Sequence, residues 1–229
     1  MEEILLEEIA RDLSVEEIKE NIEFNRDENT DRRLEELIEQ ALEIAAPRGL
    51  YGIAFIDERD EDNVVIEGVE FHSRILRENL EDVHRVFPFI ITCGVELQEW
   101  AEGFEDMMDS YLADKIKEVF LNIAREQVFG DISSNFNPGK TARMNPGSLP
   151  DWPLAEQSQL FSLFSDVMGE TGVELTDSQL MKPNKSVSGF LFPSESDYEN
   201  CQLCPRENCP NRSADFEEEL YRERLNHEI

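Results

Sequence analysis

Three cysteines, Cys201, Cys204 and Cys209, fall within nine positions in the stretch CQLCPRENCP. Thiols at that spacing suit a zinc ion or an iron–sulfur cluster, a redox-active or regulatory dithiol, or simply unliganded side chains in a tail. Pro205 and Pro210 follow two of the cysteines and stiffen the turns between them. A fourth ligand is missing locally. Cys93, which follows an apolar run, would close a four-thiolate site; the alternative for it is a buried small hydrophobe.

A second stretch, Arg143-Met-Asn-Pro-Gly147, belongs with Leu175-Thr-Asp-Ser178 and Ser186-Val-Ser-Gly-Phe-Leu-Phe192. Glycine and proline let backbone approach a ligand closely, and an arginine beside them offers a planar fork for a carboxylate. Together they suit an amino-acid-like or nucleotide-like small molecule, although a structural turn uses the same residue types. The three histidines, His72, His84 and His227, have no plausible base partner nearby in sequence.

Composition bounds these readings. The chain has 229 residues, 52 acidic against 21 basic, for a formal charge of −31. Such a charge repels phosphate backbones and anionic membranes, and no basic stripe offsets it, so neither nucleic acid nor membrane is an expected partner. The acidic opening MEEILLEEIARDL is unlike a signal peptide, and no apolar run approaches a membrane span, so a cytoplasmic protein is expected. In a reducing cytosol clustered cysteines point to metal or thiol chemistry rather than structural disulfides.

The elements that must position these residues follow from periodicity. Residues 2–24 read as two short amphipathic helices, the second with a capping box from Ser14 and Glu17, and residues 34–44 as a third that stops before Pro47. Runs at 51–56 and 64–71 read as strands joined by a charged turn, and 86–92 as a strand buried on both faces. Residues 95–129 are helical with a break at Gly103, and their apolar stripe is core. Residues 130–153 read as loop with a short strand around 141–144; a helix over 154–167, a strand over 187–192 and a helix over 214–226 complete the chain. The fold class expected is α+β, with a mixed, largely antiparallel curved sheet flanked by helices. The expected organisation is a helical extension over 1–46, a main domain over 47–195 and a Cys-rich tail with a helix over 196–229.

The order RMNPGSLPDWPLAEQ, then ELTDSQLMKPNKSVSGFLF, resembles the S-adenosylmethionine-binding reactivation domain of cobalamin-dependent methionine synthase and its stand-alone relatives. That family carries an Arg-x-x-Pro-Gly-Tyr stretch, a helix, a Leu-Thr-x-Ser segment and a Ser-Val-Ser-Gly-aromatic strand. The resemblance spans roughly residues 86–195. It implies a cofactor site at Arg143, Asn145, Pro146, Gly147, Ser148, Ser188, Gly189 and Leu191, with Ser148 and Leu191 standing where the family has tyrosines. It also implies reductive methylation of a corrinoid held by a partner protein or methyltransferase, with S-adenosylmethionine as methyl donor and a separate electron donor. The cobalt is then the nucleophile, and no catalytic side chain is needed. The alternative is a non-enzymatic zinc or iron–sulfur module that keeps the fold without the cofactor.

Overall fold

A computed structural model describes residues 1–10, 13–24, 27–195, 198–207, 209 and 212–225. The chain runs β1 (Glu2–Leu6), α1 (Val15–Glu20), α2 (Glu28–Ile44), β2 (Arg48–Arg59), β3 (Asn63–Ile66), β4 (Val69–His72), α3 (Arg74–Asn79), β5 (Arg85–Thr92), α4 (Val95–Glu102), α5 (Met107–Phe136), β6 (Thr141–Met144), α6 (Gln157–Ser162), α7 (Val167–Thr171), β7 (Glu174–Leu175), β8 (Met181–Lys182), β9 (Ser186–Pro193) and α8 (Glu218–Leu225). Single 3-10 turns lie at Leu154–Glu156 and Asn200–Leu203.

Among the described residues, seven strands form one antiparallel sheet in the order β4-β3-β2-β5-β9-β6, and β1 pairs with the first half of β2. The architecture is therefore α+β. β5 lies at its centre, and alternation splits its side chains between two cores. Val86 and Ile90 enter one cluster with Phe71, Trp152, Phe190 and Phe192; Phe87, Phe89 and Ile91 enter another with Val128, Ile132 and Leu191 on α5 and β9. The apolar run VFPFIIT thus packs on both faces, as its lack of polar positions demands.

A third cluster lies among the helices, where Leu34, Leu37 and Ile38 of α2 meet Leu112, Ile116 and Phe120 of α5. Local signals set the starts of these helices. Ser14 and Glu17 form the expected capping box on α1, Asp27 accepts from the Thr30 amide to start α2, and Asp106 does the same for α5.

Three expectations are corrected. The first, a helix at the start of residues 2–24, is instead β1. The edge of β2 offers this segment a ladder of backbone partners from Gly49 to Ile53, which a short surface helix would leave unpaired. The second correction is that α5 does not end at Phe129 but runs to Phe136. Gly130, Ser133, Ser134 and Asn135 are weak helix formers, yet Ile132 is wholly buried and the Phe136 ring packs on Phe87 and Tyr51, so tertiary burial outweighs propensity. The third is that the helix read over 154–167 is a 3-10 turn plus α6, ending at Ser162, with α7 beginning separately at Val167 behind an Asp166 cap. Among the described residues, no helix is long and apolar enough to cross a membrane.

Candidate functional site

The segment that follows β6 is anchored at several points. Arg143 sits on β6 opposite Leu191 of β9. The chain then turns at Asn145 to Trp152: the Ser148 amide donates to the Asn145 carbonyl at 3.1 Å and the Gly147 amide to the Trp152 carbonyl at 2.8 Å. Gly147 has φ +78°, a left-handed conformation that glycine adopts without strain. Beyond the turn, the Asp151 carboxylate accepts from the Ile75 amide at the start of α3, Trp152 is fully buried, and the Glu156 carboxylate accepts from the His72 amide. Trp152 stacks on Phe190 with ring centroids 5.6 Å apart and planes 3° apart. The turn is therefore held by the core beneath it.

Gly189 creates room on β9. A β-carbon there would lie 2.3 Å from the Met144 carbonyl oxygen and 2.6 Å from Asn145 Nδ2. Because glycine leaves that space, the Asn145 amide reaches across and donates to the Ser188 carbonyl at 2.6 Å.

Above this floor lies a cavity of about 510 Å³, a volume typical of small-molecule sites. Arg143, Asn145, Gly147 and Ser148 line it together with Phe89, Arg125 and Phe129. The Phe89 and Phe129 rings meet edge to face at 5.1 Å. Neither the Arg125 nor the Arg143 guanidinium has an ion-pair or hydrogen-bond partner among the described residues. Burial, reinforced by the like charge of Arg143, lowers the Arg125 pKa from its ordinary value. In a chain of net charge −31, two neighbouring cations left without an anion are an electrostatic seat for a negatively charged group. Glu199 contributes the carboxylate on the lining, and it is engaged with Ser213 Oγ at 3.0 Å.

The remaining residues proposed from sequence are dispersed. Pro146 and Ser188 line a smaller adjoining cavity of about 300 Å³, which shares Asn145 and Val187 with the larger one. The Ser188 hydroxyl donates to Gln157 there. Leu191 does not reach either lining; it packs with Phe87 and Ile132. A third cavity, about 490 Å³, opens beside Glu78, Asp82 and Glu195 and holds none of the expected residues.

The tail folds back onto the same site. Leu203 is wholly buried and Tyr198 nearly so in the cluster that contains Trp152, and this brings Cys201, Cys204 and Cys209 onto the wall of the 510 Å³ cavity. Desolvation pushes the Cys201 thiol up, but the amide and hydroxyl of Ser213, both 3.4 Å from its sulfur, and the charge of Arg212 outweigh it, leaving the pKa below the ordinary 9.0. Cys93 is elsewhere. It is fully buried among Leu97, Leu112 and Ile116, its thiol is pushed up to about 12 by that burial, and it does not join the tail cysteines. The four-thiolate site closed by Cys93 is therefore not formed, because strand β5 carries that side chain into the helical cluster. Among the described residues, no three ligating side chains are already gathered to hold a metal ion. Pro210 and Asn226, the last residue of the helix read over 214–226, lie outside the described residues.

Sequence reasoning missed Arg125, Phe89 and Phe129. Arg125 and Phe129 stand four residues apart on one face of α5, a basic and aromatic pair inside a stripe assigned wholly to core. Ser148 and Leu191 stand where the resembled family has tyrosines, and two phenylalanines from other elements, Phe89 and Phe129, supply aromatic surface to the cavity.

Fold and cavity define an α+β domain with an arginine-lined cavity of about 510 Å³ at the end of β6. Residues 137–213 match the family model described as vitamin B12 dependent methionine synthase, activation domain. The fold is similar to the crystal structure of the MetH reactivation domain bound to AdoHcy, with a TM-score of 0.63 at 18% identity over 87% of this chain and 81% of that one. No curated protein matches the chain. The chain thus resembles the methionine synthase activation domain in fold over most of its length and in sequence over about a third of it.

Proposed function

We propose that the chain binds S-adenosylmethionine in the Arg143 cavity and takes part in reactivating a corrinoid carried by a separate protein. The observation that carries this reading is the pair of unneutralised guanidiniums, Arg125 and Arg143, beside the Gly147 turn. A methionyl carboxylate would accept hydrogen bonds from these guanidiniums and offset one of their two charges, the Asn145 to Ser148 backbone would lie against the amino-acid part, and Phe89 and Phe129 would give apolar surface to the rest. The solved neighbour's bound AdoHcy supports the same ligand class. The chemistry supplied by the bound sulfonium is methyl donation to a reduced cobalt. The protein's own residues need only bind, orient and exclude water, so no side-chain nucleophile is required. Corrinoid and electron would come from partner proteins.

Calorimetric titration with S-adenosylmethionine tests this. Arg143→Ala should weaken binding by about 10- to 150-fold, the loss of one charged hydrogen-bonding group worth about 1.5–3 kcal/mol. Unchanged affinity would remove Arg143 from the site, and no binding by the wild-type chain at millimolar ligand would remove the cofactor altogether.

A second reading, a thiolate metal module of zinc or iron–sulfur type, draws on the three tail cysteines facing that cavity. The two readings are compatible, since they rest on different side chains of the same lining.

A further inference from the structure

We infer that Cys201, Cys204 and Cys209 hold one thiophilic metal centre, a zinc ion or an iron–sulfur cluster, by three protein thiolates, leaving one coordination position open toward the cavity lined by Arg125 and Arg143. This deepens the metal reading above and does not depend on S-adenosylmethionine.

Four observations support it. First, all three cysteines line a single cavity, an outcome that their spacing alone does not require. Second, the remaining cysteine, Cys93, is sealed in the helical cluster, and Glu199, the carboxylate on the lining, is engaged with Ser213. Among the described residues, a centre built here has three protein ligands, and three-ligand sites are the ones that keep a position for an outside molecule.

Third, the loop is already shaped around its sulfurs. The Arg212 guanidinium donates to the carbonyls of Cys201, Ala214 and Cys204, each at 3.1 Å, and also to that of Arg206. One side chain thereby ties both ends of the Cys-x-x-Cys turn to the chain that follows. Ser213 meanwhile directs its amide and its hydroxyl at the Cys201 sulfur. Donors aimed at a thiolate are the outer shell that orients a metal ligand and lowers its basicity. Fourth, three thiolates around a divalent ion carry net negative charge, and the guanidiniums of Arg125 and Arg143 on the same cavity are without anions. The sulfurs are not gathered at bonding distance, so metal entry would draw them together, the usual coupling of binding to local order in thiolate sites.

The test is titration of the full-length, reduced chain with Co2+ under anaerobic conditions, alongside zinc, iron and sulfide analysis of protein isolated anaerobically. The expected result is one Co2+ per chain with thiolate-to-cobalt charge-transfer absorption, which shifts when imidazole is added to the open position. Cys201→Ser and Cys209→Ser should each weaken Co2+ binding by at least about tenfold to a hundredfold, while Cys93→Ala binds as the wild type does; far-UV circular dichroism checks that each variant folds. Zinc in the isolated protein, or iron with matching sulfide, identifies the native centre and either result supports the proposal. An equal loss in Cys93→Ala, a spectrum indifferent to imidazole, or no Co2+ binding by a fully reduced chain would overturn it. None of these measurements involves S-adenosylmethionine, so their failure leaves that reading standing.

Discussion

On one face of β9, Phe190 and Phe192 enter a closed core where Phe190 lies flat on Trp152 and edge-on to Phe71, 5.1 Å away. On the other face, Val187 and Leu191 pack toward α5, and over Gly189 the sheet opens onto Asn145, Phe89 and the two arginines. The polar side chains on the first face, Ser186 and Ser188, are hydrogen-bonded within the chain to Thr92 and Gln157. The guanidiniums near the second face have no such partner among the described residues. One strand thus carries both a closed aromatic core and the floor of a cavity whose two arginines have no partner among the described residues.

Stability and binding should therefore separate by face. The largest effect belongs to Phe190→Ala, which should lower unfolding free energy by about 3–5 kcal/mol in denaturant titration, since it empties the contact with Trp152 and Phe71; a loss near 1 kcal/mol would mean that the core face is less closed than its packing implies. Next, Arg125→Ala should leave the unfolding midpoint unchanged or raise it, because it relieves charge repulsion with Arg143, while weakening S-adenosylmethionine by about tenfold or more. Parallel loss of both properties would merge the two faces into one structural unit.

Gly189→Ala probes the boundary between the faces. The added methyl group meets Met144 and Asn145, so destabilisation of about 1–3 kcal/mol is expected together with weaker ligand binding, readable as a joint shift in thermal midpoint and calorimetric affinity. A smaller contrast concerns the cysteines. Cys93 is neutral when folded, with its pKa raised to about 12, whereas an unfolded thiol ionises near 9. Its contribution to stability is therefore complete below pH 9 and is lost as pH rises from there toward 12, and Cys93→Ala should flatten that part of the stability profile. Cys201 titrates in the opposite sense, below 9, so iodoacetamide should alkylate the tail first and leave Cys93 untouched until the chain unfolds.

Much of the frame was legible in the chain itself. The run VFPFIIT, polar at no position before Thr92, could only be a strand buried on both faces; Ser14 with Glu17 marked the start of α1; and the joint order of the Arg143 turn and the Ser186–Phe192 strand carried the family resemblance. These features are local, set by side-chain periodicity and by hydrogen bonds across three or four residues. β1, the last two turns of α5 and the place of Arg125 were not legible, because each depends on a partner far away in sequence: the edge of β2, the rings of Phe87 and Tyr51, and the cavity beyond β6. The cysteines divide on the same line. Their spacing determined that thiolate chemistry was available, but only the fold sealed Cys93 in an apolar cluster and carried Cys201, Cys204 and Cys209 to the arginine-lined cavity, since burial of Leu203 and Tyr198 sets where the tail lies.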